Sequence, residues 1–450
     1  MAIETIATRL REKVMTARVV QRSAAEATLN RQFEAETSRA FSLPRAHAFR
    51  RFAERGLPTR RVESWHYTDL RAALREAAPL ATAPDASTIE TARQILAARR
   101  RLAAWRLVLL NGRVIAELCE PLPPGASIAR DEPPPADVDD PMVALNEAMS
   151  LDAHVLTVSD GATIEGPIEI VHLAIATDAR SLYSRFAISL GVGASSSFVE
   201  TFVGAGHGVQ RNSSTIVMLA EGAKAKHIVV VEDNAELHIE SQIVQLASRA
   251  EFHSFAIVAG AALTRRQLFH KLVGEEARVT LGGLTLLDGT RHADTTLQVV
   301  HAAKAGTSRE YYRAIVDDQA VGVFQGKVIV ESAAQKTDGA MKSQAVLLSP
   351  QAQMNAKPEL EIFADDVVCG HGATVGSLDP EQLFYMMARG IERGEAESML
   401  LEAFGEEAIA RIDDDALAEA LRQPFRTWLV REHAARVHDE GRAISTESAS

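Results

Sequence analysis

The sequence predicts a mainly β core held between two helical flanks, and three observations predict it. Short β-rich runs recur from about residue 150 to 376, helical texture fills roughly the first hundred residues, and helical texture returns after Gly376. No helix-length segment separates the β runs, which disfavours a doubly wound α/β fold.

Residues 1–105 read as an N-terminal helical domain, because Ala, Glu, Arg and Leu dominate and such residues lose little rotamer freedom in a helix. Turn formers interrupt it at Gly56-Leu57-Pro58-Thr59-Arg60-Arg61. Trp65 and Tyr67, separated by His66, then supply anchors that dock the segment on its neighbours. Residues 106–149 read as a β-hairpin and linker leading into the core. WRLVLLNGRVI, ending at Ile115, spells strand, Asn111-Gly112 turn, strand. The prolines and acids of Asp131–Asp140 resist both ladders and packed helices, so that run is the linker.

Residues 150–376 form the β core. Strand-like runs cover Ser214–Leu219, His227–Val231, Leu237–Leu246, Glu251–Val258, Arg278–Leu287, Thr295–Val300, Arg309–Val316 and Val321–Val330, punctuated by Gly, Asn, Asp and Ala. Several alternate, as in Leu237, Ile239, Ser241 and Ile243, which sends one side-chain set to each face. A β-sandwich fits this texture, and a stacked coil of β-rungs with small residues at its corners fits it at least as well.

Residues 377–450 read as a C-terminal helical domain. Asp379 can cap a helix, Pro380 sits where its missing N–H costs nothing, and Gln382 can reach back to the cap. Gly390 ends that helix or opens the next turn, and a second helix covers Glu395–Ile409. A third begins near Asp413–Asp415, where acids favour a helix N-terminus. Leu417 and Leu421 share its face, Pro424 bends or breaks it, Trp428 and Leu429 resume the face, and residues after about 438 fray.

Bulk composition narrows the function. A net charge of −12 over 450 residues argues against a general nucleic-acid binder. Cys119 and Cys369, the two cysteines, stand far apart in sequence, which favours a reducing compartment. The N-terminal run lacks the apolar core of a signal peptide, and no apolar run approaches a membrane span, so a cytoplasmic chain is expected.

The densest chemistry lies in Lys357–Gly376, KPELEIFADDVVCGHGATVG. Cys369 and His371 are two apart, and on an extended strand they share a face, close enough to hold a metal ion together. Asp365 and Asp366 can add oxygen ligands or raise the pKa of the histidine. The competing reading makes Cys369 a small buried hydrophobe and His371 a hydrogen-bonded turn residue, since two ligands do not close a site. His227, His238, His253, His270, His292 and His301 lack metal spacing and default to structural or surface roles. Gly322–Val328 has too short a glycine spacing and no magnesium-binding hydroxyl for a phosphate loop. No dinucleotide fingerprint or GxSxG elbow occurs.

Four stretches make the chain resemble the SufB/SufD superfamily of the SUF iron–sulfur cluster assembly machinery. GLPTRRVESWHYTDL (Gly56–Leu70) and Leu383-Phe384-Tyr385 with Arg389-Gly390-Ile391 are similar to motifs shared across that superfamily. AQKTD (Ala334–Asp338) and Lys357–Gly376 are similar to its SufD side, and the resemblance covers nearly the whole chain. It implies a central right-handed parallel β-helix between N-terminal and C-terminal helical domains. It implies a non-ATPase scaffold, not an enzyme, that pairs with SufB through the β-helices and binds one SufC ATPase through the C-terminal helices. ATP then belongs to SufC, and iron or an iron–sulfur cluster is met transiently at the SufB–SufD interface, none being held stably by the isolated chain. No nucleic acid or membrane enters, and the isolated chain is open to homodimerisation.

Carried over by position, His371 matches a histidine implicated in cluster formation or iron supply at that interface, with Cys369 beside it as an interface ligand completed by SufB. Thr337, in Lys336-Thr337-Asp338, falls where SufB-like chains carry their essential cysteine, and a threonine cannot serve as thiolate. His371, Thr337, Leu383, Phe384, Tyr385 and Arg389 are the expected partner-facing residues. Two positions depart from the family pattern: His66 stands where lysine is common, and Gly370 where serine is common. Two other functions compete, a purely structural arm that stabilises SufB and recruits SufC, and an independent β-helix enzyme acting on a polymer, which needs paired carboxylates in a groove.

Overall fold

A computed structural model describes residues 22–37, 42–134, 137–206 and 208–447. The helical reading of residues 1–21 lies outside these.

The N-terminal segment forms α1 (Ala24–Thr37), α2 (Leu43–Arg55), the one-turn α3 (Leu70–Ala73) and α4 (Ala86–Ala98). Rings of Phe33 and Phe49 stack at 4.0 Å and join α1 to α2. Asp69 and Asp85 cap α3 and α4 by accepting from the amides of Ala72 and Thr88. Then come β1 (Trp105–Leu110), β2 (Arg113–Val114) and β3 (Ala126–Arg130). Asn111 and Gly112 both take left-handed φ values, 51° and 81°, as a two-residue hairpin turn demands. β1 has a second role, because its other edge pairs parallel with the core. The Pro-rich stretch ends in a helix start that the linker reading overlooks. Asp140 accepts from the amides of Met142 and Val143 and opens α5 (Pro141–Met149).

The core is a parallel β-solenoid. Its strands are β4 (Ala153–Val158), β5 (Thr163–Ile175), β6 (Arg180–Leu190), β7 (Ser195–Ala205), β8 (Val209–Leu219), β9 (Lys224–Val231), β10 (Leu237–Leu246) and β11 (Glu251–Val258). They continue as β12 (Leu263–Leu272), β13 (Arg278–Leu287), β14 (His292–His301), β15 (Thr307–Val316), β16 (Val321–Val330), β17 (Asp338–Leu347), β18 (Gln353–Ile362) and β19 (Val368–Gly376). From β4 on, even strands stack in one sheet and odd strands in the other, so each coil adds one strand to each. The sandwich alternative fails because consecutive strands never pair here; each pairs parallel with the strand two further on.

One corner explains why no sequence repeat is visible. Gly193, Gly222, Arg249, Glu276, Ala305 and Lys336 all have φ between 56° and 67° and occupy the same turn in successive coils. Each donates its amide to a carbonyl of the coil above, as Arg249 does to Glu275 and Lys336 to Asp366. The stacked backbone bond compensates the left-handed cost, so side-chain identity can drift.

The two sheets are covered on opposite outer faces. Helices α1–α3 and α5 sit on the even sheet, where Leu237 and Ile239 join the cluster of Phe49, Trp65 and Leu145, while α4 packs on the odd sheet through Ala92 and Leu96 against Val108, Val171 and Leu173. The Trp65 indole donates to Asp140 at 3.0 Å, and the Arg265 guanidinium stacks 4.3 Å over its ring. Thr68 donates to Asp294 at 2.5 Å, so the Gly56–Leu70 motif is a docking clamp.

After the last coil come α6 (Pro380–Met387), α7 (Arg393–Ile409) and α8 (Asp415–Glu447), and α7 and α8 lie on the odd sheet. Leu401, Ile409, Leu421 and Trp428 pack there against Ile257 and Leu284. Asp379 caps α6 through the amides of Glu381 and Gln382. Pro424 sits inside α8 without ending it, and the helix runs on past 438 to Glu447. Among the described residues, no helix is long and apolar enough to cross a membrane.

Candidate functional site

The two motifs on the SufD side of the resemblance are adjacent corners of the last two coils. Lys336 donates its amide to Asp366 at 2.6 Å and pairs its ammonium with the same residue's carboxylate. Gln335 accepts from the Asp366 amide at 3.0 Å, and Thr337 accepts at its carbonyl from Val368 at 2.9 Å. AQKTD thereby sets the register of the strand that carries Cys369 and His371. Asp366 is committed to this clamp.

In that register Gly339 lies opposite Cys369, and Met341 opposite His371. Met341 is buried in the lumen, so Cys369 and His371 both occupy inward-facing positions of β19. Their surroundings differ. Cys369 is half-buried against the lumen cluster, and a Cβ on Gly339 would stand 3.5 Å from its sulfur. Burial pushes its thiol up, with the charges of Asp338 and Glu310 adding to the rise. It is therefore a thiol rather than a thiolate at neutral pH. His371 is exposed, because the coil that would cover it is not there.

Thr337 is buried, and its hydroxyl donates to the Ala334 carbonyl at 2.8 Å. It faces its own corner. A side chain on Gly370 would meet nothing within 4 Å, so glycine there is not a packing requirement. Among the described residues no group of three or more His, Cys, Asp or Glu side chains gathers to hold a metal ion.

β18 and β19 end the two sheets, each with one edge that carries no partner strand. Around them Val368 and Phe363 are 73% and 65% exposed, and Ile362 and Val375 are exposed as well. An open pair of parallel edges flanked by apolar side chains is a template for further strand pairing. Next to it α6 buries none of its residues. Phe384 is 74% exposed, Tyr385 is exposed with the Arg389 guanidinium 4.6 Å over its ring, and Leu383 is half-buried.

Away from the open end, the lumen holds a polar ladder that sequence reading missed. Glu200 takes His172 Nε2 at 2.6 Å, Thr215 Oγ1 at 2.7 Å and His227 Nε2 at 3.0 Å. Gln242 bridges His227 Nδ1 at 2.7 Å to His270 Nε2 at 2.9 Å. Beside it Arg211 and His238 share Asp233, and Arg266 meets Glu240 through two bonds of 2.5 and 3.0 Å. The two histidines hold the Glu200 carboxyl well below its usual range despite burial. Burial and the Arg266 charge lower His270 to about 3. His227, His238 and His270 are thus buried structural groups, and His292 hydrogen-bonds Thr68 at 2.9 Å. The available signal was alternation: His238, Glu240 and Gln242 share one face of a strand whose other face carries Leu237 and Ile239.

Comparison with known proteins completes the description. The family model described as "SUF system FeS cluster assembly, SufBD core domain" matches residues 173–404, and the one described as "SufBD protein N-terminal region" matches residues 27–125. The iron–sulfur cluster assembly protein SufD of Escherichia coli is 28% identical over 402 residues, 86% of this chain and 92% of that protein. An iron–sulfur cluster assembly SufBD family protein of Synechocystis is 32% identical over 208 residues, 46% of each chain. Protein ABCI7, chloroplastic, of Arabidopsis thaliana is 28% identical over 303 residues, 65% of this chain and 64% of that one.

Proposed function

The chain belongs to the SufBD family of the SUF iron–sulfur cluster assembly system, and from that premise we propose that it is the SufD-like scaffold that pairs with a SufB-like chain through its last coil. The observation that carries this reading is the open end: two unpaired parallel edges, β18 and β19, with exposed apolar side chains around them. A SufB-like solenoid continues both sheets there and covers His371. The histidine then faces chemistry supplied by the partner, consistent with a half-site of one imidazole and one protonated thiol. Iron or the nascent cluster is cargo at that junction. The same edges can pair two copies when the chain is alone.

A SufC-like ATPase engages the helical cover on the odd sheet, with Leu383, Phe384, Tyr385 and Arg389 of the α6 region as contact residues. The exposure of Phe384, Tyr385 and Arg389 supports this assignment. Nucleotide chemistry then resides on the ATPase, and α7 and α8 transmit its motion to the sheet they cover.

The structural-arm reading keeps the same partners and leaves His371 only packing. The polymer-enzyme reading is disfavoured by where the buried acids lie. Glu200, Asp233 and Glu240 face the lumen and are committed to His and Arg partners rather than paired across a groove.

Co-expression with SufB-like and SufC-like partners tests the proposal. Wild type and His371→Ala are expected to give the same ternary complex, with iron and sulfide content reduced several-fold in the variant. Unchanged content rejects the role of His371. Loss of content only in step with loss of pairing favours the structural arm.

A further inference from the structure

We propose that the cleft between the outer face of the odd sheet and the α7–α8 connection binds a small planar aromatic anion. The cleft measures about 510 Å³, within the usual span of small-molecule sites. It opens where the helical cover stops. α7 and α8 cover Ile257 and Leu284, and the connection at Arg411–Asp413 overhangs the uncovered columns beside them.

The solenoid register builds the floor. Phe255, Gly282, Tyr311 and Lys342 are opposite one another on four successive strands and point outward. Gly282 is there for space, since a Cβ would lie 2.6 Å from Phe255 Cδ2. The phenyl ring therefore lies across bare backbone, giving a flat apolar floor beside the Tyr311 ring. Aromatic rings favour such faces and edges.

The rim supplies the charge. The Arg411 guanidinium lies 3.8 Å from the Tyr311 ring centroid, and the Lys342 ammonium lies 5.9 Å from it. Among the described residues neither cation has a carboxylate within ion-pair distance. The nearby acids are largely committed: Glu407 to Arg313 and the Tyr311 hydroxyl, Asp414 to Lys226, and Asp338 to Arg309. Asp413 is the remaining carboxylate at the rim, on the connection whose backbone carbonyl the Lys226 ammonium holds. Two unpaired cations against one carboxylate leave the rim positive. A ring bearing a carboxylate, sulfonate or phosphate fits both features, its face on Phe255 beside the Tyr311 ring that Arg411 covers, and the anion between Lys342 and Arg411.

The probe pair is 8-anilino-1-naphthalenesulfonate and its neutral analogue N-phenyl-1-naphthylamine, titrated by fluorescence against the full-length chain. The sulfonate is expected to bind at least about fivefold more tightly than the neutral analogue. Lys342→Glu and Arg411→Glu, both exposed, should each weaken it by a similar factor. Equal affinity for the two probes, or unchanged sulfonate binding in both variants, overturns the assignment. The second result would also follow if the sulfonate bound at the exposed rings of α6.

Discussion

Glu310, Met341 and His371 stand in one inward column of the odd sheet, two sealed in the lumen and the third left open. That position decides what each ionisable group can do. Burial pushes the Glu310 carboxyl from an ordinary 4.5 up to about 8, and Ser308 and Arg309 offset only part of the rise. Between those values the folded chain keeps a proton that the unfolded chain has released. The stability this group contributes is therefore complete below 4.5 and declines as pH rises through about 8. Glu310→Gln removes the titration and should gain about 3 kcal/mol on wild type between pH 4.5 and pH 7, read by urea unfolding at several pH values. A difference independent of pH would contradict this account of the carboxyl. His371, exposed on the same column, is free to meet a partner.

At the scale of the element, the lumen ladder explains both the rigidity of the rungs and what the sequence concealed. Arg266 and Glu240 are fully buried and bond twice on neighbouring strands of the even sheet. Arg266→Ala strands a buried carboxylate and should cost about 3–5 kcal/mol, while pairing it with Glu240→Leu should recover much of that loss. Urea midpoints of the single and double variants check it. The same ladder marks the limit of legibility. Strands with apolar alternation, such as Leu237–Leu246, Glu251–Val258 and Val321–Val330, are readable to their ends. Leu263–Leu272 is not, because Arg265 and Arg266 look like surface residues until Asp294 and Glu240 arrive on adjacent strands. Gln353–Ile362 and Val368–Gly376 hide behind Pro358 and a glycine-rich run, both tolerated because these are edge strands. The Cys369/His371 pair was legible as a motif. Its openness was not, since only the end of the coil stack shows which edge lacks a cover.

The whole molecule is a solenoid clothed on two outer faces and bare at one end. Helices α1–α3 and α5 seal the even sheet, and α4, α7 and α8 seal much of the odd sheet. On the proposed function, this arrangement separates three tasks along one chain: docking by the Gly56–Leu70 motif, contact with an ATPase by α6, and strand pairing by the last coil. Amide hydrogen exchange of the chain alone and in complex with its SufB-like partner tests the pairing claim most directly. The account predicts that complex formation slows exchange in Gln353–Ile362 and Val368–Gly376 by at least about tenfold, as unpaired edge amides acquire strand partners. Protection confined to other surfaces, with β18 and β19 exchanging as they do in the free chain, would contradict it.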